Sequence, residues 1–246
     1  MAGEVEESSY IVAKLLNCLK EVYTFKELEE ALGVSSQILW RYTTFTQFPE
    51  RQTARKILDG IREKRLLERA FKEMVIGERK TVEEWRFLFN PRFLNLVGYL
   101  AWKKFRDDGV DVVLAAGEKN AALAAILAEW LSAESYVASE HAWSSWGKLY
   151  SASYSSSERE EIVYLHVPRE ALKRDSKVLF AKGVARNFES LAALRSIAEQ
   201  AKAVPVGAVV AVSLSGEWMG LAEKAGLRKV YVASVVADGN VFVNLP

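Results

Sequence analysis

Between Ser35 and Lys56 the chain sets out side chains that could read nucleic acid. Gln37 and Arg41 stand four residues apart, a spacing that puts two side chains on one helix face. The glutamine amide matches the donor and acceptor of adenine, and the arginine fork matches the two acceptors of guanine. Ser36, Thr44, Arg51, Arg55 and Lys56 supply hydroxyls and cations of the kind that hold phosphates. With Ser35 and Trp40 they complete a candidate DNA-contacting set. Other chemistries find less support. His141, His166 and Cys18 have no ligand spacing that would make a metal site, and His166 alternates with Tyr164 and Ile162 as a structural histidine in a strand would. The serines lack a Gly-x-Ser-x-Gly elbow. Gly117 is isolated and Lys119 has no Ser or Thr after it, so there is neither a Walker loop nor a dinucleotide fingerprint. No metal, cofactor or catalytic residue is expected.

These residues need elements to position them, and the composition permits a folded core. The chain has 246 residues, 50% hydrophobic and 26% charged, which excludes fibrous and low-complexity classes. Lys plus Arg number 33 against 32 Asp plus Glu, a net charge of +1, so nucleic-acid affinity must come from a local basic face. The single cysteine, Cys18, sits among periodic apolar residues as a buried hydrophobe, and the cytoplasm is the expected compartment. No run approaches the roughly 18 apolar residues of a membrane span, so neither export nor membrane insertion is expected.

Residues 1–80 carry helical periodicity. Thr24 and Glu27 form a capping box that starts a helix, Gly33 ends it in a left-handed turn, and Ser35 is the expected N-cap of a second helix over Ser36–Thr43. A third begins near Pro49, and the charged run Arg62–Arg69 leads into a connector. Residues 81–246 alternate strands and helices: Val110–Ala116, Ala121–Leu131, Ser135–Ala138, Glu161–Val167, Lys177–Ala181, Phe188–Ala203, Gly207–Ser213, Glu217–Ala225 and Lys229–Val235. The expected fold class is α/β, an all-helical N-terminal domain followed by a mostly parallel sheet flanked by helices.

The stretch ELEEALGVSSQILWRY, Glu27–Tyr42, has the spacing of a helix-turn-helix, and TQFPERQTARKI behind it resembles the repressor-type family of that motif. The second helix of such a motif enters the major groove; the same pattern also docks proteins or simply packs. Glu29 stands where the family usually carries a small residue, and Glu27, Glu29 and Glu30 would repel phosphates if turned toward DNA.

The second domain resembles the type I phosphoribosyltransferases, the orotate and xanthine branch, from Asn90 to Val235. VDVVLAAGEKNAALAAILAEWL matches the family's strand, pyrophosphate loop and helix, EIVYLHVPREALKRDSKVLFAKGV its approach to the ribose-phosphate loop, and GLAEKAGLRKVYVASVV its last helix and strand. The resemblance puts Gly117 to Asn120 in the pyrophosphate loop, with Gly117, Glu118 and Lys119 as its candidate ligand contacts. Where active members carry two acidic residues and a Thr-Thr-Gly-Gly-like turn, this chain has Lys182 and Gly183, then Arg186, Asn187, Phe188, Glu189 and Ser190. A lysine donates where a ribose diol needs an acceptor, Phe188 adds bulk and Glu189 a like charge. Gly117, Glu118, Lys119, Lys182, Gly183, Arg186, Asn187 and Ser190 are thus the candidate ligand pocket of a domain expected not to be an enzyme. Ser144–Glu158 takes the place of the flexible hood, where Trp143, Trp146, Tyr150 and Tyr154 either stack on a base or pack a dimer interface or the core. Together the two resemblances imply a transcription regulator of nucleotide or sugar metabolism. It would be a homodimer on double-stranded DNA, with the second domain for dimerisation and the sensing of a nucleobase, nucleotide or phosphoribosyl ligand. The alternatives are an active phosphoribosyltransferase with an unusual loop and a protein-interaction scaffold.

Overall fold

The computed structural model describes residues 8–77, 81–142, 145 and 147–246. The chain forms two compact units, Met1–Val82 and Glu83–Pro246. In the first, α1 (Ser9–Leu19) buries Val12, Ala13, Leu15, Leu16, Cys18 and Leu19, an apolar set that recurs every three or four residues. Thr24 caps α2 (Phe25–Leu32): its hydroxyl accepts the Glu27 amide at 3.2 Å while the Glu27 carboxylate accepts the Thr24 amide at 2.8 Å. Gly33 stops α2 at φ 61°, a left-handed conformation that glycine adopts without steric cost. Then α3 (Ser36–Thr43) buries Leu39, Tyr42 and Thr43. It is followed by α4 (Arg51–Glu63), which begins two residues beyond Pro49, and α5 (Leu66–Val75).

The charged run expected to lead into a connector helix is helical on both sides of Arg65, whose φ of 52° breaks it into the end of α4 and the start of α5. Both helices bury an apolar stripe, Ala54, Ile57 and Ile61 in one and Leu66, Leu67, Ala70, Phe71, Met74 and Val75 in the other. Ser35 stands at the N-cap of α3 without a side-chain cap bond. Glu29 performs that role from the preceding helix: its carboxylate accepts the Ser36 amide at 2.9 Å and the Ser36 hydroxyl at 2.5 Å. These bonds hold the Glu29 carboxyl below its ordinary range.

The second unit opens with the short α6 (Glu84–Phe87) and then α7 (Pro91–Phe105), which has proline in its first turn and the Asn90 side chain accepting the Arg92 amide at 2.9 Å. Strand β1 (Val112–Ala116) runs through a 3-10 turn at Glu118–Asn120 into α8 (Ala121–Leu131) and β2 (Glu134–Ala138). An antiparallel ladder, β3 (Leu149–Ser156) with β4 (Glu161–Pro168), comes next. The chain ends with β5 (Lys177–Ala185), α9 (Glu189–Ala201), β6 (Val204–Ser213), α10 (Trp218–Lys224), β7 (Val230–Ala237) and β8 (Asn240–Val243). The main sheet has the order β2-β1-β5-β6-β7-β8, parallel except for the last pair. Alternate residues face opposite sides: Val112, Leu114, Val178, Phe180, Val210 and Val232 join α9 and the β3–β4 ladder in one core. The α/β class expected from the sequence is therefore the observed one.

The sequence gives no signal for the edge strand β8, because its four residues carry no repeated pattern long enough to mark a strand. The segment that the resemblance puts in the place of the hood supplies β3, and Tyr150 and Tyr154 take the packing alternative: with Ala152 they lie against the core on every second residue; Trp143, Ser144 and Trp146 lie outside the described residues. Among the described residues no helix is long and apolar enough to cross a membrane.

Neighbouring strands meet tightly at Gly207, where an added Cβ would lie 2.3 Å from the Lys229 carbonyl oxygen, the acceptor of the Ala208 amide. Gly207→Ala is expected to lower stability by about 1–3 kcal/mol. Gly216→Ala, with nothing within 4 Å of the new methyl, is the control. Urea titrations of the two variants check this: equal midpoints would contradict it.

Candidate functional site

In parallel α/β sheets, ligands bind beyond the carboxyl ends of the strands, and here the ends of β1 and β5 are joined by one side chain. Asn120 is 1% exposed. Its amide nitrogen donates to the Ala116 carbonyl, and its oxygen accepts the Gly183 amide at 2.7 Å. The turn after β1 and the last residues of β5 therefore form one edge. Gly117 enters that turn at φ 86° and its amide donates to Ala138 at 3.0 Å, which ties β2 to the same edge. Gly183 has no side chain because Leu88 fills its place: an added Cβ would lie 2.2 Å from a Leu88 methyl.

Lys182 occupies a core position. Val178 and Phe180 face α9 on the same side of β5, and the next residue of that alternation is this lysine, only 9% exposed. Its ammonium donates to the Ser190 hydroxyl in the first turn of α9 at 2.8 Å. Burial pushes its pKa down to about 8; Lys119 pushes the same way, and Glu158, Glu189 and Glu84 oppose them. Arg186 reaches Glu84 at 3.3 Å. Asn187 donates to the Ser157 hydroxyl at 2.8 Å, and the Ser157 amide donates to Glu189 at 3.1 Å, so the turn between β3 and β4 meets the start of α9. Phe188 does not crowd the loop as expected; it is 2% exposed and belongs to the core.

Carboxylates ring this edge, and most are already held. Glu118 accepts from the Ser139 hydroxyl. Glu140 pairs with Arg159 through two bonds, at 2.9 and 2.5 Å, which raise the guanidinium pKa above its ordinary value. No group of three or more His, Cys, Asp or Glu side chains among the described residues is placed to hold a metal. His166 shares a 2.8 Å bond with Ser151, and Cys18 is buried in the first unit.

The structure thus gathers Gly117, Glu118, Lys119, Lys182, Gly183, Arg186, Asn187 and Ser190 at one edge and adds Glu84, Asn120, Glu140, Ser157, Arg159 and Glu189, which the pocket reading had not included. Asn120 lies within the loop singled out in the sequence. Glu84 sits 102 residues from its partner Arg186 and gave no local signal. In the first unit, Gln37, Trp40 and Arg41 are exposed on α3, and Arg51 and Arg55 on α4. The hydroxyl of Ser36 is held by Glu29, that of Thr44 bonds the Trp40 carbonyl at 2.9 Å, and the Lys56 ammonium bonds the Gly33 carbonyl at 2.9 Å. Ser36 and Lys56 thus shape the turn between α2 and α3, and Thr44 the end of α3.

No family model matches the sequence, and no curated protein matches it. Solved structures do. The chain is similar to adenine phosphoribosyltransferase from Rhodothermus marinus, with TM-score 0.51 and 17% identity over 61% of this chain and 84% of that one. It is similar to the enzyme from Giardia lamblia, solved with 9-deazaadenine (0.54, 18%, 61% and 83%). A third likeness is to adenine phosphoribosyltransferase from Leishmania donovani (0.54, 14%, 71% and 81%). These matches overturn the expectation that the domain is not an enzyme, because the solved proteins with this architecture carry an enzyme's name. At these identities the likeness establishes the fold: a type I phosphoribosyltransferase-like α/β unit accompanied by a helical N-terminal region.

Proposed function

We propose that the second unit is a phosphoribosyltransferase acting at the joined ends of β1 and β5. The observation that carries this reading is the Asn120–Gly183 bond, which brings the Gly117–Asn120 turn and the Lys182–Ser190 segment to one sheet edge. The reaction forms a bond between a nucleobase nitrogen and the anomeric carbon of phosphoribosyl pyrophosphate as the bond to pyrophosphate breaks. Charge leaves with the pyrophosphate, so the protein must offer fixed positive groups to it. Lys119 in the turn after β1, Lys182, Arg186 and the amide end of α9 are those groups. Adenine is the first base to test, because the similar structures are adenine phosphoribosyltransferases. Pyrophosphate release from phosphoribosyl pyrophosphate and adenine, measured with and without magnesium, is the expected activity. Lys119→Ala is expected to lower kcat/KM by about tenfold to a hundredfold, or roughly 1.4–2.8 kcal/mol of transition-state stabilisation. Absence of pyrophosphate release with adenine, guanine, hypoxanthine and orotate would refute the assignment.

A second role belongs to the first unit, and we propose that it binds double-stranded DNA. The left-handed turn at Gly33, and the capping of α3 by Glu29, favour this reading: they give α3 a fixed start and leave Gln37, Trp40 and Arg41 exposed. Glu29 is thereby engaged within the motif. As a homodimer the protein would meet half-sites about 34 Å apart, one turn of the duplex. Arg41→Ala is expected to weaken specific binding by about 1–3 kcal/mol in a gel-shift titration at fixed salt. Equal discrimination between selected and random duplexes by this variant and the unaltered protein would remove Arg41 from the interface.

A further inference from the structure

A phosphoribosyl ligand is a polyanion, and the fold implies magnesium as its counter-ion. Magnesium binds in such sites through one or two carboxylates together with the substrate's phosphates. The residues at the end of β5 do not fit that ion. At this point the strand presents the Lys182 ammonium, whose charge would repel a divalent cation; the carboxylates of Glu84, Glu140 and Glu189 are bound to Arg186, Arg159 and the Ser157 amide, and Glu158 acts on Lys182 from the turn between β3 and β4. Glu118 is bound to Ser139.

Lys182 itself is poorly compensated. Its hydrogen-bond partner is the neutral Ser190 hydroxyl, with no carboxylate within ion-pair distance among the described residues. It also lies against the first turn of α9, the positive end of a 13-residue helix, where the carboxylate of Glu189 is engaged by the Ser157 amide. A buried cation beside a positive helix end is costly unless an anion joins them. Lys119 adds positive potential from the turn after β1.

We infer that Lys182 replaces the divalent cation as the counter-charge of the phosphoribosyl ligand, so that this site binds its ligand without magnesium. The inference rests on the phosphoribosyl reading of the site and goes beyond it by naming the residue that makes the ion dispensable. The groups facing Lys182 are Glu84 from α6, Lys119 from the turn after β1, Glu158 from the turn between β3 and β4, and Glu189 from α9. With the ammonium titrating near pH 8, the cation is present below that pH and lost above it.

Calorimetric titration of the full chain with ribose 5-phosphate tests this. The dissociation constant is expected to be the same in magnesium chloride and in EDTA, and to rise about tenfold from pH 7 to pH 9 as the lysine loses its proton. Lys182→Met is expected to weaken binding at least about tenfold at pH 7 and to abolish the pH dependence, while Lys182→Arg, which keeps the charge, restores binding that no longer falls at pH 9. Circular dichroism spectra and melting curves show that each variant is folded; if the methionine variant does not fold, the arginine variant and the pH series decide. Binding that requires magnesium, or that keeps its strength and pH profile in folded Lys182→Met, would overturn the inference and leave the phosphoribosyl reading standing. No binding of ribose 5-phosphate under any of these conditions would overturn both.

Discussion

Asn120 commits its side-chain amide to backbone: one end accepts the Gly183 amide, and the other donates to the Ala116 carbonyl. With this residue 1% exposed, neither bond competes with water. The bonds fix the turn after β1 against the end of β5, and the rest of the edge depends on that register. Gly183 is small enough for Leu88 to lie over it, and Lys182 on the opposite face of the strand is aimed at α9. If the two strand ends moved apart, the cations of the turn after β1 and of the segment after β5 would no longer share one edge.

Electrostatics gives that edge its character. Five carboxylates surround Lys182, Lys119 and Arg186, which in isolation would make the region hostile to phosphate. The fold redistributes this charge by pairing Glu140 with Arg159 and Glu84 with Arg186, and by giving Glu118 and Glu189 hydrogen-bond donors. Lys182 is left with a hydroxyl partner, and desolvation, the largest cause of its lowered pKa, outweighs the opposing charges of Glu158, Glu189 and Glu84. A lysine placed among core positions weakens the apo protein, and an anion that neutralises it would return that stability on binding.

The helical unit shows the same division between groups that build and groups that remain outward. Ser36, Thr44 and Lys56 have the chemistry of phosphate ligands, yet Ser36 and Lys56 are drawn into the turn between α2 and α3, and Thr44 bonds back to a carbonyl at the end of α3. Glu29 supplies from α2 the cap that Ser35 does not provide for α3. A carboxylate that the sequence offers as a like charge toward phosphate thus joins two helices instead.

The sequence by itself determined the local elements. Thr24, Glu27 and Gly33 set the ends of α2 through bonds and dihedrals that span at most four residues. The apolar runs of β1, β5 and β6 declared a sheet buried on both faces, and the alternation of strands with helices declared it parallel. The sequence also placed a lysine at the end of an apolar strand. It did not show which carboxylate would meet which cation, since Arg186 and Glu84 are 102 residues apart and Gly183 and Asn120 are 63 apart. Those pairings depend on strand register, which follows from how whole faces are buried. The Ser-rich segment read as a hood became β3 for the same reason: Tyr150, Ala152 and Tyr154 had a core face to cover, and only the assembled sheet and α9 supplied it.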